Sequence, residues 1–171
     1  MFLFETDRLI IRKLQVEDLL PFHAMESDPE VRKYVGGDLK DLEANRIALN
    51  ELIAKYKEEE NAFWIWAICL KSKKAFVGTA AIIIDENKEA EIGYRFLREH
   101  WGHGFGNEIC QALIDYGFRQ MDLVTIYAYV DVLNTASVKI LDACSLTFIK
   151  ELWNEEEQCT DRYYKGSNPD F

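Results

Sequence analysis

The chain has 171 residues, with 30 acids against 20 Lys plus Arg and a formal net charge of −10. That length predicts one domain spanning residues 1–171, and 49% apolar residues supply a full core and argue against disorder. The charge argues against a general nucleic-acid binder and against attachment to an anionic membrane, because both need a surplus of Lys and Arg. No window reaches the ~18 consecutive apolar residues of a transmembrane helix. The start, Met1-Phe2-Leu3-Phe4-Glu5-Thr6-Asp7-Arg8, has acids where a signal peptide needs a basic and then an apolar run. A cytoplasmic protein is the expectation.

Residues 7–14 read as a strand centred on Leu9, Ile10 and Ile11, and residues 16–27 as a short helix. Asp28-Pro29-Glu30 restarts a helix, with Pro29 in the first turn, where its missing N–H costs nothing. Gly36-Gly37 ends it. A long helix is predicted over 39–59, because Leu42, Leu49, Leu52, Ile53 and Tyr56 share a face. Phe63 to Leu70 is apolar on both faces and reads as a buried strand. Strands at 75–84 and 89–97 follow through the turns at 71–74 and 85–88, making an antiparallel meander. Phe105, Ile109, Ala112, Leu113 and Tyr116 mark an amphipathic helix. Leu123 to Val130 is a strand, and 134–144 a helix opened by Asn134 at a capping position. Two final strands, at 147–153 and 159–165, form a hairpin whose acidic tip is expected to be solvated. The total is a mixed α/β (α+β) sheet of six to seven strands flanked by helices.

Glycine is scarce, yet three of the nine, Gly102, Gly104 and Gly106, fall within five residues. They lie between a strand and an amphipathic helix. Glycines there allow sharp turns and close approach of a ligand to the backbone. The first N–H groups of a helix lack internal partners and sit at the positive end of its dipole, so the segment suits phosphate. No Gly-Lys-Ser/Thr follows, which excludes the Walker loop, and the preceding meander excludes the dinucleotide fingerprint. A glycine-rich turn without a ligand is the alternative. Cys69, Cys110, Cys144 and Cys159 are scattered, with no metal spacing, and read as separate reduced thiols in or near a core.

Three segments carry a family resemblance: Glu91-Ile92-Gly93-Tyr94, Trp101-Gly102-His103-Gly104-Phe105-Gly106-Asn107-Glu108, and Asn134-Thr135-Ala136-Ser137. Together with Thr6-Asp7-Arg8-Leu9-Ile10-Ile11-Arg12 and Asp28-Pro29-Glu30-Val31, they resemble the GNAT N-acetyltransferases, in the branch typified by the ribosomal-protein N-terminal acetyltransferases RimJ and RimL. The resemblance spans nearly the whole chain. It implies the GNAT fold, with splayed central strands forming a cleft, acetyl-CoA as donor, an amine as acceptor, and no metal. It also implies a pyrophosphate loop made by Trp101, Gly102, His103, Gly104, Phe105, Gly106 and Asn107. Tyr94, Arg95 and Phe96 would offer backbone to the pantetheine arm, and Asn134 would contact the coenzyme. The acceptor could be a peptide N-terminus or a small-molecule amine, and the protein a monomer or homodimer.

Acyl transfer to an amine needs a base, an oxyanion donor and a partner for the departing thiolate. Glu91 is the candidate base, through water; otherwise it is an exposed strand carboxylate. Ser137 is the candidate partner for the thiolate; otherwise it assists a helix cap. A strand N–H near Tyr94 would serve the oxyanion. The chain departs from the family pattern at Leu141, where many members have tyrosine, at Ser145-Leu146 in place of Gly-Phe, at Arg98 in place of proline, and at His103 in place of Lys or Arg. A CoA-binding regulator of the same fold without turnover is the alternative. His103 reads as a solvated loop residue, His23 and His100 as surface residues with no evident partner, and Phe63, Trp64 and Trp66 as core.

Overall fold

The computed structural model describes residues 2–169. It is a mixed α/β protein whose eight strands form one open sheet in the order β1-β2-β3-β4-β5-β6-β8-β7. The strands are β1 (Phe2–Glu5), β2 (Leu9–Lys13), β3 (Phe63–Leu70), β4 (Phe76–Ile84), β5 (Ala90–Phe96), β6 (Thr125–Asp131), β7 (Thr147–Asn154) and β8 (Cys159–Ser167). The helices are α1 (Leu19–Glu26), α2 (Pro29–Arg32), α3 (Leu42–Lys55), α4 (Phe105–Gln120) and α5 (Thr135–Ala143). The count exceeds the expected six to seven because β1, too short to show a period, pairs with β2. The β1–β2, β2–β3, β6–β8 and β7–β8 ladders are antiparallel, and β5–β6 is parallel. The chain divides into two compact units, one of residues 1–81 and 94–105, the other of residues 82–93 and 106–171.

In the first unit, the alternation of β2 sends Leu9 and Ile11 fully inward. Leu14, Phe22, Met25, Val31, Leu49, Ala67, Cys69 and Phe76 form a core, with Leu52, Ile53 and Tyr56 packed against it. Asp41 caps α3 by accepting from Ala44 N–H at 2.8 Å, so the helix starts later than the apolar pattern alone predicts. Leu42 is therefore 43% exposed in its first turn, and does not join the face predicted for it. Asn45 takes the inward position instead, and its Nδ2 meets His23 Nδ1 at 2.9 Å and the Lys40 carbonyl at 3.1 Å. His23 is thus half-buried with a partner, contrary to the surface expectation. Asp28 caps α2 at Glu30 N–H, with Pro29 in the first turn as predicted. Asp18 is buried, and takes two hydrogen bonds of 2.7 Å from Arg12 and one of 2.9 Å from Gln15 N–H. These offset the desolvation of its charge. Trp66 is core and Trp64 stacks between Tyr56 and Trp66, whereas Phe63 is exposed at the strand's start.

Gly78 of β4 fixes how closely β5 can lie. A Cβ there would stand 2.1 Å from the Arg95 carbonyl oxygen, and the Leu97 N–H donates to the Val77 carbonyl at 2.9 Å beside it.

In the second unit, α4 buries Ile109, Leu113 and Ile114. Gly117 lets Ile126 approach, since a Cβ would come within 2.7 Å of its Cδ1. Tyr164 on β8 is fully buried, and its hydroxyl donates to Asp142 at 2.6 Å. Leu141 is core. The hairpin tip, Glu155 to Gln158, is exposed as expected.

Candidate active site

The first unit presents the glycine loop. Leu97 ends the pairing of β5 with β4, a short turn at Arg98–His100 follows, and Trp101 to Gly104 lead into α4. Gly102 and Gly104 have φ of 75° and 78°, the left-handed region that a side chain resists. Trp101 is 46% exposed, and its Nε1 donates to the Phe96 carbonyl at 2.9 Å, pinning the loop to the end of β5. His103 is exposed, as expected, and stacks on the Phe105 ring at 5.7 Å. His100 is half-buried, contacting Glu99 at 3.5 Å and the Phe105 ring at 6.5 Å; the sequence reading had given it no partner.

A cation at this loop went unnoticed in the sequence. Arg8, just before β2, donates from Nη1 to the His103 carbonyl at 2.8 Å, and its guanidinium lies 4.6 Å from the Phe105 ring centre. Its Nη2 would stand 3.5 Å from a Cβ at Gly104. A permanent charge thus stands beside the loop that lacks Lys or Arg at its centre. The same unit holds Tyr94, Arg95 and Phe96. Phe96 is buried against Phe105, while Arg95 pairs with Glu26 at 2.7 Å. Glu26 also binds Arg32 at 3.0 Å, so the strand's side chain is fixed and its backbone direction with it.

The second unit holds the other candidates. Gly106 and Asn107 open the part of α4 that belongs to it. Among the described residues the β5–β6 ladder has two pairs, Ala90 with Ile126 and Glu91 with Tyr127. Glu91 is the last residue of β5 paired with β6. It lines a cavity of about 410 Å³ together with Tyr129, Leu152, Trp153, Asn154, Glu155 and Asp161. Burial pushes the Glu91 carboxyl above the usual range, and the charge of Asp161 adds to the shift. Asp161 is itself buried, accepting from Asn154 Nδ2 at 2.8 Å. Burial also raises the Tyr129 phenol, with Tyr163 stacked on it at 4.9 Å. Glu91 is therefore a shielded carboxylate of raised basicity in a concave wall rather than a solvated strand residue.

Asn134 and Ser137 meet in a helix cap, where the Ser137 N–H donates to Asn134 Oδ1 at 3.2 Å. Ser137 is half-buried in the first turn of α5 and is not part of the wall that holds Glu91. Tyr129, Trp153, Asn154 and Asp161 are the wall residues that the sequence reading missed. The available signal was a lone acid, Asp161, at an inward strand position between Thr160 and Arg162. Among the described residues no group of His, Cys, Asp and Glu could hold a metal ion, and no helix is long and apolar enough to cross a membrane.

The family description "Acetyltransferase (GNAT) domain" matches residues 8–147, taking in β2, the glycine loop, Glu91 and the Asn134–Ser137 cap. The chain belongs to the GNAT acetyltransferase family. It is 39% identical over 152 residues to the uncharacterized N-acetyltransferase p20 of Bacillus licheniformis, covering 85% of this chain and 82% of that protein. Its fold matches the spermidine N-acetyltransferase from Vibrio cholerae, solved in complex with CoA and spermine, with a TM-score of 0.80 at 21% identity over 94% of this chain and 95% of that one. It also matches RimL, a ribosomal alpha-N-protein acetyltransferase in complex with coenzyme A, with a TM-score of 0.82 at 16% identity over 98% of each chain. At these identities the two structures establish the GNAT fold, and the likeness to RimL is a distant structural one. Family membership makes the protein an acyltransferase.

Proposed function

We propose that this GNAT protein transfers an acetyl group from acetyl-CoA to a primary amine, either a peptide N-terminus or a small-molecule amine. The observation that carries the reading is the glycine turn at Gly102 and Gly104, which leads into α4 with Arg8 beside it. Backbone N–H groups and one fixed cation suit a pyrophosphate even on a chain of net charge −10. Trp101, Gly102, His103, Gly104, Phe105, Gly106 and Asn107 would bind that group, Tyr94 to Phe96 the pantetheine arm, and Asn134 the coenzyme beyond it. That two fold neighbours were solved with CoA supports the donor.

The chemistry follows from the groups present. An amine attacks only when its lone pair is free. Glu91, held above the usual carboxylate range, is a better proton acceptor than an ordinary glutamate. It would take the proton through water as the nitrogen bonds to the thioester carbon. A backbone N–H near Tyr94 would steady the oxyanion. The C–S bond then breaks, and the Ser137 hydroxyl would donate to the leaving thiolate. The carboxylates of Glu91, Asp161 and Glu155 in one wall, with Trp153 and Tyr129, favour a cationic acceptor.

The test is release of free CoA thiol from acetyl-CoA across polyamines, amino sugars and N-terminal peptides. Turnover with one class identifies the acceptor. Acetyl-CoA binding without turnover on any amine would favour the regulator, which the buried Leu141 in place of a tyrosine acid keeps in view. No binding at micromolar acetyl-CoA removes the proposal.

A further inference from the structure

The four cysteines look scattered in sequence, but two of them meet. Cys110 is fully buried on α4, and Cys144, immediately after α5, is half-buried. Their sulfurs lie close enough that each shifts the other's proton equilibrium. The next residue along from each is joined to its counterpart as well. Gln111 Nε2 donates to Ser145 Oγ at 3.1 Å, and the Ser145 N–H donates to Gln111 Oε1 at 3.2 Å. The stretch of α4 that carries Cys110 is therefore held against the segment that carries Cys144. The amide clamp fixes that pairing independently of the thiols.

The surroundings also divide the labour between the two sulfurs. The Leu146 N–H donates to Cys144 Sγ at 3.4 Å. The Cys144 S–H itself donates to the Leu141 carbonyl at 3.1 Å, and the neighbouring Cys110 holds the Cys144 thiol below the usual range while Cys110 is pushed up. The remaining cysteines go the other way. Burial raises Cys69, and burial with the neighbouring Asp161 carboxylate pushes Cys159 up to about 11.

We propose that Cys144 and Cys110 form a reversible intramolecular disulfide when the protein meets a peroxide, with Cys144 the attacking sulfur and Cys110 the resolving one. The Cys144 thiolate attacks one oxygen of hydrogen peroxide. An S–O bond forms, the O–O bond breaks, and the departing hydroxide takes a proton to leave as water. The Cys110 sulfur, giving up its proton, then attacks the resulting sulfenic acid. The S–S bond forms, the S–O bond breaks, and a second water leaves. Two thiols are oxidised by two electrons in all, and one peroxide is reduced to two waters. The bond ties the second turn of α4 to the end of α5. The inference stands whether or not acetyl-CoA is the donor.

The experiment treats the full chain with graded hydrogen peroxide, blocks free thiols by alkylation and maps the non-reduced digest by mass spectrometry. The expected result is a Cys110–Cys144 cross-linked peptide, an intact mass lower by two hydrogens, Cys69 and Cys159 still alkylated, and reversal by dithiothreitol. Cys144→Ser, at the half-exposed position, should abolish the cross-link and leave Cys110 alkylated after denaturation. Cys110→Ala should leave a sulfenic acid on Cys144 that dimedone traps. The inference is overturned if wild-type Cys144 passes to sulfinic acid with no cross-link, or if Cys159 reacts first.

Discussion

Arg8→Met tests whether the arginine beside the glycine loop serves the coenzyme. The variant keeps the apolar stem of the side chain and removes the guanidinium. Two contacts are lost, the 2.8 Å hydrogen bond to the His103 carbonyl and the placement 4.6 Å over the Phe105 ring. A hydrogen bond to a charged group contributes about 1.5–3 kcal/mol, with the lower end apt for an exposed pair. An exposed cation–π contact adds about 0.5–1 kcal/mol. The loop should lose roughly 2 kcal/mol of order, which at about 1.4 kcal/mol per tenfold corresponds to a CoA Kd some 10–30 times weaker. Isothermal titration measures it directly. Turnover at saturating acetyl-CoA should be unchanged, and the loss should shrink in high salt. S-acetylpantetheine, which lacks the pyrophosphate, supplies the control and should bind wild type and variant alike. An unchanged CoA Kd, or an equal loss with both ligands, would refute the assignment of Arg8 and its loop to the pyrophosphate.

Glu91→Gln should lower kcat by about 10²–10⁴-fold, the range of general base catalysis, with CoA affinity retained in titration. The same variant has a stability signature. A carboxyl raised in the folded state favours folding fully below its unfolded pKa, and loses that contribution as pH rises through the folded one. Thermal melts should therefore show E91Q more stable than wild type at neutral pH, with the gain gone below about pH 4; a gain that persists in acid contradicts the cause given. Ser137→Ala should lower kcat with its helix cap intact, because the capping contact uses its backbone N–H; full turnover removes it from the mechanism. Gly78→Ala forces a Cβ to within 2.1 Å of the Arg95 carbonyl. Overpacking of this kind costs about 1–3 kcal/mol, so a chemical denaturation midpoint equal to wild type would show that the strands part easily there.

Much of the fold was legible because its signals are local. The Phe63–Leu70 strand matches the apolar run, and Asp28-Pro29 opens a helix as its cap chemistry dictates. Leu42 was misplaced because helical spacing cannot show that Asp41 starts the helix and leaves the first turn outside. Of the candidate site, the glycine loop and Glu91 were visible as local patterns. Arg8, 95 residues from its partner His103, left no local trace. Asp161 and Tyr129 reach the Glu91 wall through strand registers that a single sequence does not encode as a pattern. The Cys110–Cys144 pair is of the same kind: two helices place it, and spacing along the chain is silent about it.

The parallel β5–β6 step has a consequence for how the loop can change. A hairpin can join antiparallel neighbours, but a parallel pair needs a crossover long enough to bring the chain back to the same end of the sheet. Here α4 is that crossover, and the glycine turn is its first segment. The turn is therefore demanded by chain path before any ligand is considered. At Gly102 an added Cβ meets nothing within 4 Å, so a substitution there is resisted by its φ of 75° alone and leaves the topology intact. Deleting the loop would remove the connection itself. Diversification of this scaffold is thus confined to exchanging residues along an obligatory return route.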